Sequence, residues 1–153
     1  MSMFARVRSA ALLGVDAYIV EVETDLEFKV PAFAMVGLAE GAVKESRERI
    51  SSAIKNTGYS FPLKRVTINL APADIRKEGS AFDLPMAIGI LAADGRIPQE
   101  ALDKYVLVGE LSLDGGLRHV KGMLSIALAV RDAGYEGVIV RSEEHTSELQ
   151  SQR

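Results

Sequence analysis

The distribution of apolar residues predicts an α+β fold in which helices cover a mixed sheet, and three observations carry it. Runs with period-two alternation are interspersed with runs whose apolar residues recur at helical spacing, in the order β-β-β-α-β-α-β-β-α-β. The segment 84–93, LPMAIGILAA, is apolar on nearly every side, as befits a helix in the middle of a domain. No internal repeat or low-complexity linker divides the chain, and a body of roughly 140 residues suits one domain burying about two thirds of its unfolded surface.

The elements follow in order. Residues 4–12 and 15–23 read as a hairpin about Gly14, with Val15, Ala17, Ile19 or Val20, and Val22 on its half-buried face. A third strand follows at 32–36. Over 39–56 the period changes: Val43, Ile50, Ala53 and Ile54 make one stripe of a helix, while Glu40/Lys44, Lys44/Glu48 and Glu45/Arg49 pair at helical spacing and, with Arg47, coat a solvent face. Asn56-Thr57-Gly58 ends it as a left-handed cap. Residues 66–70, VTINL, form the central strand, which a charged loop joins to the 84–93 helix. After the punctuation of Asp94-Gly95 and Pro98 come a strand at 105–111, a turn at Asp114-Gly115-Gly116 and a strand at 117–120. A helix over 123–133 stops at Gly134, and a last strand begins at 138–140.

Of the 153 residues, those from 141 to 153 (RSEEHTSELQSQR) break the apolar pattern and carry no periodicity. They resemble the in-frame translation of a sequencing-library adapter and are set aside as a non-native tail. The remaining body, 1–140, is close to charge balance and implies no global attraction to polyanions. The absence of cysteine excludes disulfides and thiolate metal sites. The apolar run behind Arg6 and Arg8 is too short for a secretory core or a membrane span, so the expected location is the cytoplasm, away from membranes.

Three blocks, VGLAEGAVKESRERI (36–50), NLAPAD (69–74) and RKEGSAFDLP (76–85), closely resemble the amino-terminal domain of the Mg-chelatase-like AAA+ ATPases called ComM or YifB. The resemblance runs from about Met3 to Val140. One departure is Ala39-Glu40, where that family often carries Pro-Asp at the start of the helix. The resemblance implies a fold like the second domain of ribosomal protein S five, the Lon protease domain and the RadA carboxy-terminal domain. It also implies a parent protein in which this domain precedes an ATP- and Mg-dependent motor, forms a homo-oligomeric ring and acts on DNA in recombination, natural transformation and branch migration.

Lon-like proteases pair a serine with a lysine, so that dyad is the first chemistry to test. Aligned on Asp83-Leu84, the nucleophile's position falls on Ala81 rather than Ser80, and the lysine's position falls near Leu124. Lys121 stands nearly one helical turn away, and Lys77 sits in a loop that water should reach. Ser80 is therefore read as a residue that starts the helix, satisfying backbone donors ahead of Asp83 and Pro85. Asp83 is read as a cap or the partner of a loop cation. Asn69 and Asp74, beside Pro72, organise the turn, with Gly79 further along the same loop.

No catalytic residue and no metal site is assigned, because His119 has no second histidine outside the tail. No G-x-x-x-x-G-K-[ST] loop occurs, so this chain needs no cofactor of its own. The basic residues Lys64, Arg65, Arg76 and Lys77, with Arg118, His119 and Lys121, are candidate contacts to DNA phosphates or to carboxylates of a neighbouring subunit, if the two groups share an edge. Aromatics for stacking single-stranded bases are missing around them, Phe82 excepted. The expectation is thus a catalytically silent accessory domain that helps assemble the ring or guides DNA. A protein-only interaction module and a Ser–Lys peptidase are the alternatives.

Overall fold

The computed structural model describes residues 2–73, 77 and 80–141. Their elements are β1 (Ser2–Leu13), β2 (Asp16–Glu27), β3 (Ala32–Val36), α1 (Glu40–Asn56), β4 (Arg65–Ala71), α2 (Asp83–Ala93), α3 (Gln99–Leu102), β5 (Tyr105–Leu107), α4 (Met123–Asp132) and β6 (Gly137–Ile139). The strands make one mixed sheet in the order β3-β4-β2-β1-β5-β6. β2 is antiparallel to both its neighbours, β1 and β4, while β3, β5 and β6 join as parallel strands. The α+β class holds.

Strand alternation assigns the two faces of the sheet. Val7, Val20, Val22, Leu26, Val66, Ile68 and Leu70 are buried on one face, under Ile50, Ala53 and Ile54 of α1 and Met86 and Ile90 of α2. A Cβ on Gly89 of α2 would stand 2.7 Å from the Thr24 hydroxyl, so the glycine sets how closely this helix approaches β2. The opposite face carries Arg6, Glu21, Glu23 and Asn69 and is polar along most of its length. At the β1–β2 turn it becomes apolar: Ile126 and Val130 of α4 pack with Ala10, Val106 and Val108, joined by the half-buried Ile19, in a second, smaller core.

The structure departs from the sequence reading in four places. β2 runs on to Glu27, and its inward residues are Val20, Val22, Thr24 and Leu26, whereas Val15 is 86% exposed. β5 stops at Leu107, because the chain beyond it turns to the start of α2: the Gly109 amide donates to Ala81 O at 2.7 Å and Gly109 O accepts from Leu84 N at 2.9 Å. The expected strand at 117–120 reduces to one bridge, Leu111↔Leu117. There the Asp114 carboxylate accepts from Gly116 N at 2.9 Å and from the Ser112 hydroxyl, which closes the turn before a ladder extends. These hydrogen bonds also hold the Asp114 carboxyl below the usual range, Ser112 foremost. The fourth is the short α3, whose Gln99 accepts from Arg6 N at 2.9 Å and donates to Arg6 O at 2.7 Å, completing an edge of β1 that β5 leaves open.

Candidate functional site

A cleft of about 670 Å³ opens at the turn end of the hairpin. One wall is β1 from Ala10 to Leu13 with Tyr18 of β2, and the others are Ser80–Phe82 at the start of α2, Val108 and Glu110, and His119–Lys121 ahead of α4. Apolar side chains form its floor. Its polar groups converge: the Ser80 hydroxyl donates to the Glu110 carboxylate, and Arg118 stands 3.5 Å from the same carboxylate. His119 and Lys121 are exposed at the rim, and burial pushes the Tyr18 phenol above its usual range.

Beneath the cleft, the completely buried Asp83 anchors three elements. Its carboxylate accepts from Arg49 Nε at 2.6 Å and from a second guanidinium nitrogen at 3.2 Å, so α1 grips α2 through a two-point ion pair, and it also accepts from Leu111 N at 3.1 Å. Burial pushes the Asp83 carboxyl up, against the pull of Arg49 and the Leu111 amide, while the bond to Asp83 raises Arg49. The segment from Glu110 to Leu111 is thereby held against the α2 start, which brings Glu110 to Ser80.

Several expected roles change with this geometry. Arg49 does not coat a solvent face; it reaches Asp83 across the α1–α2 contact, with Ser46 as a further acceptor at 3.2 Å. Asp83 is neither a cap nor the partner of a loop cation, since its cation comes from a helix. Ser80 does not cap α2 with its hydroxyl: the N-cap is Phe82 without a side-chain bond, and it is the Ser80 carbonyl that accepts from Asp83 N at 3.1 Å. Asn69 serves the sheet rather than the turn, donating to Glu23 at 3.1 Å. Lys77, expected in reach of water, is 5% exposed and donates to Pro72 O, where the Ala71–Pro72 peptide is cis. Pro85 lies buried in the first turn of α2.

The basic residues divide. Lys64 pairs with Asp94 at 3.0 Å and lies 5.0 Å from the Phe28 ring, and Arg65 opens β4 beside it. Both stand at the end of β4 remote from Ala71, on the order of 20 Å away at the usual rise per strand residue. His119 and Lys121 border the cleft and Arg118 faces its Glu110, so Lys64 and Arg65 share no edge with them, whereas Lys77 sits at the Ala71 end of β4. Asp74, Arg76 and Gly79 lie outside the described residues. Sequence reasoning missed Glu110 and Tyr18; the signal for Glu110 was a lone carboxylate directly behind an apolar run and a glycine. Among the described residues, no cluster of three or more His, Cys, Asp or Glu side chains is arranged to hold a metal, and no helix is long and apolar enough to cross a membrane.

The family model described as subunit ChlI of Mg-chelatase matches residues 22–144. The chain belongs to that family. It is similar to YifB of Escherichia coli K12, an uncharacterized protein, with 46% identity over 138 residues that make up 90% of this chain and 27% of YifB. It is likewise similar to the competence protein ComM of Haemophilus influenzae, with 43% identity over 147 residues, 96% of this chain and 29% of ComM. An uncharacterized protein of Mycobacterium tuberculosis H37Rv is 41% identical over 138 residues, 90% of this chain and 27% of that protein. The chain thus spans a little over a quarter of the length of the curated relatives it matches, as an amino-terminal piece of a ComM/YifB protein does.

Proposed function

We propose that this chain is a non-hydrolytic accessory domain of a ComM/YifB-like AAA+ ATPase that acts on DNA, built on the fold of the Lon protease domain and the second domain of ribosomal protein S five. In this reading the parent is a cytoplasmic homo-oligomeric ring whose motor uses ATP and Mg, and the domain serves ring assembly or DNA guidance. The observation that carries it is the engagement of Ser80 by Glu110. A Ser–Lys nucleophile needs its hydroxyl aimed at a sheltered neutral amine. Here the hydroxyl is aimed at a carboxylate that Arg118 faces at 3.5 Å, and not at an amine. The name of the Haemophilus relative, a competence protein, supports a role in DNA uptake or recombination.

Two measurements test the reading. The chain should release no product from casein or fluorogenic peptides; turnover that disappears in Ser80→Ala would overturn the non-hydrolytic assignment. Alanine at Arg118, His119 and Lys121 in the parent protein should weaken binding to branched or single-stranded DNA and lower its salt dependence. Unchanged affinity and salt slope would leave the protein-only module as the better reading. That reading draws support from the exposed Leu12, Leu13 and Leu124 around the hairpin turn and α4.

A further inference from the structure

The outer edge of the sheet offers a second surface, separate from the cleft. β3 lies at the end of the strand order and, among the described residues, pairs only with β4, which leaves one row of its backbone N–H and C=O groups without a sheet neighbour there. Natural sheets protect such edges with charges, bulges or covering segments. The sequence of β3, AFAMV, carries no charge, and its five residues pair with β4 in unbroken register. Beside this edge lies a groove of about 310 Å³, floored by Phe33, Met35, Leu38 and Val43 between β3 and the first turns of α1. Lys44 and Arg47 line it against the single carboxylate of Glu40. Arg47 has only its exposed neighbour Glu48, at 3.5 Å, and Lys44 makes no ion pair among the described residues.

We propose that β3 and α1 form a docking groove for an extended segment of a partner protein, in which apolar and acidic residues alternate. The segment adds as a further strand beside β3. Because side chains alternate across a strand, every second one enters the groove on the Phe33 and Met35 face, and its carboxylates meet Lys44 and Arg47 at the rim. The charge of the rim selects this occupant over pairing with β3 of a second copy, since that strand, AFAMV, brings no acidic residue to Lys44 and Arg47.

The full chain titrated against a fluorescein-labelled peptide alternating leucine with glutamate tests this by fluorescence anisotropy. Saturable binding is expected. A peptide with lysine for glutamate should bind on the order of fivefold to tenfold more weakly, and the Lys44→Glu/Arg47→Glu variant, its fold checked by circular dichroism, should reverse that preference. A peptide with the same side chains but N-methylated at alternate backbone amides should lose binding. The proposal is overturned by absent binding of the leucine–glutamate peptide at millimolar concentration, by equal binding of the two charge patterns, or by full binding of the N-methylated peptide. Self-association of the chain that the peptide dissolves, seen in sedimentation velocity, would also overturn it by assigning the edge to a second copy.

Discussion

Asn69 donates its amide to Glu23, its direct partner on the neighbouring strand, and this has an acid-range consequence. That hydrogen bond first, and Arg6 second, hold the Glu23 carboxyl below the usual glutamate range. The unfolded chain therefore binds this proton more tightly than the folded one. The stabilisation is complete at neutral pH and is lost as pH falls from the ordinary glutamate range through the depressed folded value. Asn69→Ala should flatten the fall of the urea midpoint between about pH 5 and pH 3; an unchanged slope would show that the bond does not form. At the other polar anchor, Arg49→Met leaves the fully buried Asp83 charge without its cation and should cost about 3 kcal/mol, the lower end for a buried pair because Arg49 keeps 21% of its side-chain surface exposed. Adding Asp83→Asn should recover much of that loss, which denaturant unfolding of the double-mutant cycle measures. Neither partnership was legible in the sequence. Helical spacing paired Arg49 with Glu45, and proximity tied Asn69 to Pro72, whereas the partners they take lie 34 and 46 positions away.

Helix α1 and strand β4 were legible because each carries its own period, and α2 because its run is apolar on nearly every side; their ends fell within a residue of the reading. Between 108 and 122 the turn at Asp114-Gly115-Gly116 was legible, but the strands read on either side of it were not, because the path there follows hydrogen bonds to the start of α2, which no local pattern encodes. Two substitutions probe how these elements are set. α1 is preceded by Ala39 at its N-cap, whose side chain offers no cap to the first amides. Ala39→Asp should add about 1 kcal/mol, read as a rise of about 2–4 °C in Tm. Gly89→Ala tests the approach of α2 to β2. Helix propensity alone favours alanine by about 1 kcal/mol, but the new Cβ would meet the stiff, buried Thr24 at 2.7 Å, and such overpacking costs about 1–3 kcal/mol. Crowding should win, with a lower denaturant midpoint; a gain in stability would mean that α2 rides more loosely than drawn here.

Across the whole molecule, the two cores differ in size and in the strands that frame them. The larger lies under β1, β2 and β4, which pair over long registers; the smaller joins α4 to the three-residue strands β5 and β6. Native-state hydrogen exchange should therefore find the slowest amides in β1, β2, β4 and α2, with α4 and β6 opening together at lower free energy. Equal protection of α4 and α2 would contradict this. The fold class was readable from the alternation of periods, and the family from its three blocks. The strand order was not, because the places of β4 beside β2 and of β5 beside β1 depend on which apolar faces meet after folding.

The hairpin of β1 and β2 pairs twelve successive positions from Ser2↔Glu27 to Leu13↔Asp16 without interruption. Such a ribbon behaves as a ruler with two differently coloured edges. One extra residue inside either strand would exchange the colours beyond it, sending Arg6 or Glu23 toward Ile68 and Leu70 and lifting valines into water. Tolerated changes of length are thereby confined to the few residues about Gly14, where the ribbon folds back, and those residues border the cleft, so lengthening there would reshape the mouth of the site while leaving its foundations untouched.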